Sequence, residues 1–229
     1  MSAELAEREM AIFRARHATL LERYKAVIPA HRVLSGEIRP SGRKGAWMLT
    51  STGRVYWPMD PRSEDVNIED IAHALSMQCR YGGHSGEFYS VAEHSVYVSQ
   101  WVPQKYALVA LLHDATEAYV ADVPRPLKPF LANYAHIEQN NWQAIAQAFE
   151  LSVIVPECVH DIDTRICLTE MRRLMPTSPL PLGIEGEAPE QYIYCYSPAM
   201  AKQKFLERFD ELWSKRMDDR YPAAARKGA

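Results

Sequence analysis

The chain has 229 residues, of which 47% are hydrophobic, and its 26 basic and 29 acidic residues leave a formal net charge of −3. This balance excludes a global electrostatic attraction to duplex nucleic acid, and the length suits one domain with extensions or at most two small domains. No apolar run of about 18 residues predicts a membrane span, and no apolar segment near the N-terminus predicts a signal peptide. The four cysteines are scattered without a C-x-x-C pair, which favours reduced thiols and a cytoplasmic location.

The first 62 residues are predicted to form an extension of one helix and one hairpin. Charged and apolar residues alternate at near-helical spacing over residues 3–28, so we expect an amphipathic helix that packs on the body of the protein or on a partner chain. Residues 34–45 are rich in Gly, Ser, Pro and Arg and indicate a connector. The apolar segments 46–50 and 54–57 flank a Ser-Thr-Gly turn, which predicts a β-hairpin.

Residues 63–217 have the patterns of a helical domain. Asn67 is placed to cap a helix that we expect to end near Gly82 and Gly83. Ser90 and Glu93 have the spacing of a capping box, which begins a helix running to about Val102. Prolines and loop segments bound the remaining predicted helices, which are about 104–121, 130–150, 156–175 and 197–217. We therefore expect a mostly α helical bundle with one small hairpin, followed by a disordered tail at 218–229.

Ionisable side chains interrupt the apolar central helix of this bundle. Nearly every residue from 106 to 112 is apolar, yet His113, Asp114 and Glu117 follow at once, with Asp122 just beyond. Burying such groups costs several kcal/mol unless they are paired or bind a metal. His113 and Glu117 are spaced i, i+4, and Asp114 and Glu117 are spaced i, i+3, so one flank of a helix presents an imidazole and two carboxylates. This pattern indicates a chemical site.

Two further residues complete a candidate metal site. His94 lies in the apolar stripe of its helix, where a lone histidine is more often a hydrogen-bonded core residue than a ligand. Asp163 lies on the apolar stripe of the 156–175 helix, whereas Asp161 is about 200° away around the helix and should face solvent. Together with His113 and Asp114, these residues supply two nitrogens and two oxygens. Such a set suits one divalent transition ion, with Zn, Mn, Co, Ni and Fe as candidates and Mg as an additional ion.

The order His94, His113-Asp114 and Asp163 resembles that of the HD-domain metal-dependent phosphohydrolases. Within this superfamily the sequence is most similar to bacterial 5′-deoxynucleotidases and to related phage deoxynucleoside triphosphohydrolases. The similarity covers about residues 67–175, and it is carried by residues 91–95, 112–117, 122–128, Asp163, Thr169 and Glu170. The resemblance implies an all-α HD fold, a metal-dependent phosphoesterase acting on a small-molecule nucleotide, and a homodimer or higher homo-oligomer.

The resemblance also implies roles for residues that are not ligands. Glu117 is the candidate general acid/base, and Asp122 corresponds to an acidic residue near the leaving group; a turn position is the alternative for Asp122. Lys128 matches a phosphate-contacting lysine, and Arg125 is a second candidate cation. The remaining substrate candidates are Arg80 for phosphate or sugar, Tyr81 for stacking on sugar or base, and His84 at the mouth of the site. Relatives carry Trp where this chain has Tyr81, which weakens the case for strict 2′-deoxy selectivity.

Several alternatives remain open at this stage. His136 and His160 could supply a second metal site, although their spacing fits poorly. The preferred reaction is release of phosphate from nucleoside 5′-monophosphates, and the alternative is release of triphosphate from deoxynucleoside triphosphates. Hydrolysis of an alarmone or cyclic nucleotide is a further enzymatic rival. A module that senses nucleotides without turnover is the rival from another class of protein.

Overall fold

The computed structural model describes residues 42–220, with side chains described as far as residue 217. The chain divides into two units, Met1–Trp47 and Met48–Ala229, and the architecture below is that of the second unit. The predicted N-terminal helix at 3–28 lies outside the described residues, as does most of the disordered tail predicted at 218–229. The predicted start of that tail is wrong, because the last helix continues through residues 218–220. The predicted boundary between extension and HD domain at residue 62 stays a prediction.

An antiparallel hairpin opens the second unit. Strand β1 (Met48–Leu49) pairs with β2 (Val55–Tyr56), and Met48 lies opposite Tyr56. Gly53 completes the turn with φ of +82°, a conformation that glycine adopts without a steric penalty. The predicted hairpin is therefore confirmed, although each strand is only two residues long.

Two side chains attach this hairpin to the helices. The buried carboxylate of Asp70 accepts hydrogen bonds from Ser51 Oγ, Thr52 N and Thr52 Oγ1, each 2.8 Å long. Tyr56 is fully buried, and its ring stacks on that of Tyr119 with the centroids 3.6 Å apart. The hairpin thus covers one part of the helical body.

Seven α-helices follow in the described part of the chain, which confirms the mostly α fold. They are α1 (Ile68–Met77), α2 (Val91–Trp101), α3 (Ala107–Leu111), α4 (Glu117–Val120), α5 (Tyr134–Ala148), α6 (Glu157–Leu174) and α7 (Pro198–Arg220). None of these helices, within residues 42–220, combines the length and apolar character that crossing a bilayer requires.

Helix α2 is the centre of the bundle. All its residues from Val91 to Ser99 are buried, and it packs against α1, α3, α6 and α7. Its contact with α6 brings two segments that are about 70 residues apart in sequence to the same place, which allows His94 and Asp163 to meet. The core therefore positions the candidate site directly.

The helix caps were predicted in part. Asn67 Oδ1 accepts from the backbone N–H groups of Glu69 and Asp70, as predicted. Ser90 Oγ accepts from Glu93 N at 3.1 Å, which confirms the Ser90 cap of α2. The other hydrogen bond of the predicted capping box, from the Ser90 backbone N–H to the Glu93 carboxylate, is wrong. The Glu93 carboxylate instead accepts from Tyr97 Oη on its own helix and from backbone N–H groups of residues 194–196.

The predicted end of α1 near residue 82 is wrong, because the helix ends at Met77. Gln78 has extended backbone angles, and the next residue, Cys79, forms an antiparallel bridge with Ser90. Next to this bridge, the Arg80 N–H donates to the Tyr89 carbonyl at 2.8 Å, so this N–H is not available to continue the helix. Gly82 and Gly83 both have positive φ and lie in a short 3₁₀ turn instead.

The single central helix predicted at 104–121 is also wrong. The structure has a 3₁₀ turn at 104–106, then α3, then five residues of turn at 112–116, and then α4. Short i to i+3 hydrogen bonds close these turns, such as Ala115 N to Leu112 O at 2.9 Å and Glu117 N to Asp114 O at 3.0 Å. The break occurs at the buried polar residues His113 and Asp114, and it brings their side chains to one point.

Candidate metal centre

Two buried imidazoles define the centre of the site. Helix α2 supplies His94, which is fully buried, and the turn after α3 supplies His113, whose side chain is 6% exposed. Nδ1 of His94 lies 2.6 Å from a Glu170 carboxylate oxygen, and Nδ1 of His113 lies 2.7 Å from the Ala110 carbonyl oxygen. Because carboxylates and carbonyls only accept, both histidines carry a proton on Nδ1. Their Nε2 atoms are buried and have no hydrogen-bond partner.

Asp163 on α6 faces both unpartnered nitrogens. Its Oδ1 lies 3.1 Å from His94 Nε2 and 3.7 Å from His113 Nε2, without forming a hydrogen bond to either. Ligand atoms of these three residues all lie within 4.8 Å of one another, so this buried His-His-Asp group could hold a metal ion. Neutral imidazole nitrogens and a carboxylate oxygen are the donor set of borderline transition ions.

Asp114 lies beside this group. One of its oxygens is 3.3 Å from His113 Nε2, and the other is 3.6 Å from His94 Nε2. Its role as a fourth ligand stays a prediction, and its position is compatible with that role.

The carboxylate of Glu170 organises the layer behind the ligands. Glu170 is fully buried on α6 and accepts hydrogen bonds from Tyr89 Oη at 2.8 Å and Tyr81 Oη at 2.5 Å, besides its contact with His94. Arg80 Nε lies 3.3 Å from Glu170 Oε2, the oxygen that also accepts from Tyr81, whereas His94 and Tyr89 contact Oε1. Burial alone would raise the pKa of Glu170, but Arg80 and His94 lower it to about 2. A charged carboxylate of this kind fixes the tautomer and orientation of a metal-binding histidine.

The charges of the ligand group are matched to one another. Burial and Arg80 would each lower the pKa of His94, but the carboxylates of Glu170 and Asp163 outweigh them and raise it to about 9. Burial would raise the pKa of Asp163, but the imidazoles of His113 and His94 hold it well below its usual range. In the absence of a cation, protons on the imidazoles therefore supply the positive charge that this buried carboxylate needs.

Glu117, the predicted general acid/base, lies at the start of α4. Its side chain is buried, and its Oε2 atom has no hydrogen-bond partner. Burial first, and then the carboxylates of Asp114 and Asp122, raise the pKa of Glu117 well above its usual value. The side chain therefore presents a buried carboxyl group of raised pKa near Asp114 and Asp122.

Asp122, the second predicted catalytic carboxylate, follows a strained residue. Ala121 has φ of +67° and ψ of 156°, a region that is almost restricted to glycine and costs about 1–3 kcal/mol for other residues. Asp122 N donates to Gln78 Oε1 at 3.0 Å. Burial and the nearby charge of Asp114 raise the pKa of Asp122, against the opposing effect of Arg80.

The predicted substrate residues Arg80 and Tyr81 point inward. The Arg80 side chain is 11% exposed and bridges Glu170 and Asp114, with Nη1 3.5 Å from Asp114 Oδ2. Tyr81 has φ of +58°, and its hydroxyl donates to Glu170. Arg80 is therefore a cation at the edge of the ligand group, whereas the Tyr81 hydroxyl already has a structural partner. Binding of substrate by either residue stays a prediction.

The other three predicted substrate residues are more exposed to solvent. Arg125 Nη2 is 3.4 Å from Asp163 Oδ2, and its side chain is 63% exposed. Lys128 Nζ donates to Glu138 at 3.0 Å. His84 is exposed and lies next to Gly82, where an added Cβ would be 3.8 Å from its ring. Only Arg125 of these three contacts a member of the ligand group.

The remaining candidate ligands on the helices do not join this group. Asp161 is exposed and pairs with Arg165, as expected from its direction on α6. His136 and His160 are exposed, and His136 contacts Asn140. Among the described residues, the only ligand cluster is that of His94, His113 and Asp163. The second metal site is therefore not supported.

Sequence reasoning missed the roles of two residues. Glu170 carried part of the family resemblance, but its bond to His94 was not inferred. Its position seven residues after Asp163, two helical turns along the same face, was a usable signal. Gln78 was not recognised at all, because its contacts depend on the unexpected end of α1.

The fold and the site define a mostly α protein with a small hairpin and a buried group able to hold a metal ion. No model of a known protein family matches the sequence. The chain is 36% identical to YfdR of Escherichia coli K12, an uncharacterized protein, over 170 residues that cover 73% of this chain and 96% of YfdR. The chain therefore belongs to the same family as YfdR.

More distant relatives match only part of the chain. An uncharacterized protein of Rhodobacter capsulatus is 34% identical over 123 residues, which are 49% of this chain and 63% of that protein. A 5′-deoxynucleotidase of Cronobacter sakazakii is 31% identical over 113 residues, which are 46% of this chain and 49% of the nucleotidase. The similarity to a named enzyme is thus partial.

Proposed function

We propose that this protein is a metal-dependent phosphohydrolase of the HD superfamily that acts on nucleotides. The observation that carries the proposal is the convergence of two buried, unpartnered Nε2 atoms with the carboxylate of Asp163. Both Nδ1 atoms are occupied by acceptors, so the Nε2 atoms are the nitrogens left to bind a cation. The partial similarity to a 5′-deoxynucleotidase supports the choice of substrate class.

The ligand group fits one divalent transition ion. His94, His113 and Asp163 would hold it. Asp114, whose oxygens lie 3.3 Å from His113 Nε2 and 3.6 Å from His94 Nε2, would add a fourth donor. When bound, such an ion would supply Lewis-acid stabilisation of phosphoryl oxygens and lower the pKa of water. The candidates remain Zn, Mn, Co, Ni and Fe, with Mg as an additional ion.

Glu117 is the group that we assign to proton transfer. Its buried, unpartnered Oε2 lies on the helix that follows the ligand-bearing turn, and it is free to contact a substrate oxygen. A carboxyl group whose pKa is raised by burial is suited to act as a general acid that gives its proton to the ester oxygen of the leaving group. Asp122, whose charge contributes to the raised pKa of Glu117, would orient this leaving group.

Arg80 and Arg125 are the cations that we assign to a substrate phosphate. Arg80 approaches the ligand group from inside, through Asp114, and Arg125 approaches it from the exposed side, through Asp163. Guanidinium groups bind phosphate oxygens through paired hydrogen bonds. Lys128 would join them once it leaves Glu138, and Tyr81 and His84 remain candidates for contact with the nucleoside.

We prefer release of phosphate from nucleoside 5′-monophosphates. The partial similarity to a 5′-deoxynucleotidase favours this reaction over release of triphosphate from deoxynucleoside triphosphates. A nucleotide sensor without turnover is less well supported, because a sensor does not need the buried, unpartnered carboxyl group of Glu117.

A product-release assay tests the proposal. Purified protein would be reconstituted separately with Mn, Co, Zn or Mg and incubated with nucleoside and deoxynucleoside mono- and triphosphates and cyclic nucleotides. We expect orthophosphate from at least one monophosphate. Triphosphate from a deoxynucleoside triphosphate would reverse the choice of reaction, and tight nucleotide binding without any product would favour the sensor.

Glu117→Gln is the matching variant for this assay. It should retain the metal and lose about 10²–10⁴-fold in kcat, the usual contribution of a general acid or base. Glu157→Gln is the control, because Glu157 is exposed at the start of α6. Full activity in Glu117→Gln would remove its assigned role while leaving the metal site intact.

A further inference from the structure

The peptide group between Ala121 and Asp122 is held on both sides by side chains. The Ala121 carbonyl accepts a hydrogen bond from Tyr134 Oη at 2.8 Å, and the Asp122 N–H donates to Gln78 Oε1 at 3.0 Å. Because both polar groups of this peptide have side-chain partners, its plane cannot rotate without breaking one of them. The backbone that leads into Asp122 is therefore fixed from outside the segment.

Gln78 also holds the other end of α4. Its Nε2 donates to the Glu117 carbonyl at 3.0 Å and to the Ala74 carbonyl at 3.3 Å. One amide side chain thus spans the backbone of Glu117 and that of Asp122, while it is anchored to the last turn of α1. The two carboxylates assigned to catalysis are connected through a single residue.

The strain at Ala121 shows why such a brace is needed. An alanine at φ of +67° and ψ of 156° occupies a conformation that it would leave if released. Gln78 and Tyr134 oppose that relaxation, because each binds one side of the peptide group that would turn. Without the brace, the segment should relax and move the Asp122 side chain.

We infer that Gln78 is a positioning residue that sets the placement of Asp122 relative to Glu117 for the reaction. The inference rests on the proposed function, and it assigns Gln78 no contact with substrate. The simpler alternative is that Gln78 only caps the C-terminus of α1 through the Ala74 carbonyl. In that case its loss would affect stability and leave turnover per folded molecule unchanged.

Three variants separate these readings. Gln78→Met keeps the length of the side chain and removes its hydrogen bonds to the backbone of Glu117 and Asp122. Gln78→Met/Ala121→Gly adds a residue that adopts the strained conformation without help. Gln139→Met is the control, because Gln139 is an exposed glutamine in the middle of α5.

The measurements are kcat, KM, metal content and amide hydrogen exchange over residues 117–122. We expect Gln78→Met to lower kcat by about 10–100-fold, the scale of a misplacement of about 1 Å, with KM within twofold and metal content unchanged. Exchange at the Asp122 amide should accelerate, and the double variant should recover at least part of kcat. The Gln139→Met variant should match the wild type in all four measurements.

The outcomes distinguish this inference from the proposed function. A wild-type protein that hydrolyses no nucleotide counts against the proposed function, and exchange at residues 117–122 still decides whether Gln78 holds the segment. An active wild type with unchanged kcat in Gln78→Met overturns the positioning role. Unchanged exchange, or a double variant no more active than Gln78→Met, also overturns it.

Discussion

A Glu170 carboxylate oxygen lies 2.6 Å from Nδ1 of His94, and both side chains are fully buried. This contact fixes which imidazole nitrogen is free to bind a cation. It also links the ligand group to Arg80, which lies 3.3 Å from the other carboxylate oxygen. The candidate metal centre therefore includes a charged outer layer that no ligand motif specifies.

Substitution of Glu170 should weaken both metal binding and the fold. We expect Glu170→Gln to lower metal affinity by about 10–100-fold, because the amide no longer holds His94 with a charged acceptor. It should lower the free energy of unfolding by about 3–5 kcal/mol, since the buried Arg80 loses its main counter-charge. Metal titration by calorimetry and denaturant unfolding would measure these changes. Glu157→Gln, exposed on the same helix, should change neither, and wild-type affinity in Glu170→Gln would contradict the orienting role.

The aspartates of α6 provide a matched pair for the metal site itself. Removing an outer partner of a ligand lowers metal affinity by about 10–100-fold. Asp163→Asn should lower metal affinity further, because a ligand itself is lost. Asp161→Asn should bind metal like the wild type, since Asp161 is exposed and pairs with Arg165. Metal content after dialysis, measured by mass spectrometry, compares the two variants. Equal metal content in both would place the ion elsewhere.

Local rules predicted much of the helical fold from the sequence. The cap at Asn67 and the inward direction of Asp163 follow from side-chain chemistry within one or two turns, and both are present in the structure. The break after α3 does not follow from local rules. Apolar periodicity continues through residues 107–121, so the sequence favours one helix, whereas the structure uses i to i+3 turns to gather His113 and Asp114.

The contacts behind the site were less predictable, for a different physical reason. Glu170, Tyr89 and Arg80 meet only after α2 and α6 pack together, so their pairing depends on long-range contacts. The role of Gln78 was harder still to predict, because its contacts depend on α1 ending at Met77, five residues before Gly82. A sequence pattern gives the identity of ligands more readily than it gives the residues that hold them.

Asp70 should give the protein an acid-sensitive attachment of its hairpin. Burial would raise the pKa of Asp70, but hydrogen bonds from Ser51 and Thr52 outweigh it and lower the pKa below its usual 3.8. A carboxylate with a lowered folded-state pKa stabilises above its unfolded pKa, and the contribution is lost as the pH falls through the folded value.

The variant Asp70→Asn should therefore be less stable than the wild type by about 1–3 kcal/mol at pH 7, the value of hydrogen bonds to a charged group. The difference should shrink as the pH falls below 3.8, where the carboxyl of the unfolded chain takes up a proton before that of the folded protein, and it should vanish below the folded pKa. Urea unfolding at pH 7, 5 and 3.5 would measure it, with the exposed Asp210→Asn as control. A difference that stays constant across this range would show that the charge of Asp70 is not what stabilises the hairpin.

Glu93 should hold the segment that precedes α7. Its Oε1 accepts the backbone N–H groups of Tyr194 and Cys195, both at 3.0 Å, and its Oε2 accepts that of Tyr196 at 2.7 Å. Three successive N–H groups around one carboxylate form an anion-binding nest, and Cys195 has the positive φ of +56° that such a nest requires.

In Glu93→Gln, an amide NH₂ would face at least one of these donors, which should cost about 1–3 kcal/mol and release the segment. Tyr194 is 56% exposed, so a protease that cleaves after aromatic residues can report the release. We expect cleavage at this segment to accelerate in Glu93→Gln under native conditions and to remain at the wild-type rate in Glu190→Gln, an exposed residue nearby. Because His94 follows Glu93 directly on α2, metal affinity should be measured on the same samples. Faster cleavage with unchanged metal affinity would show that the nest anchors the segment without supporting the ligand group, and unchanged cleavage would remove the anchoring role.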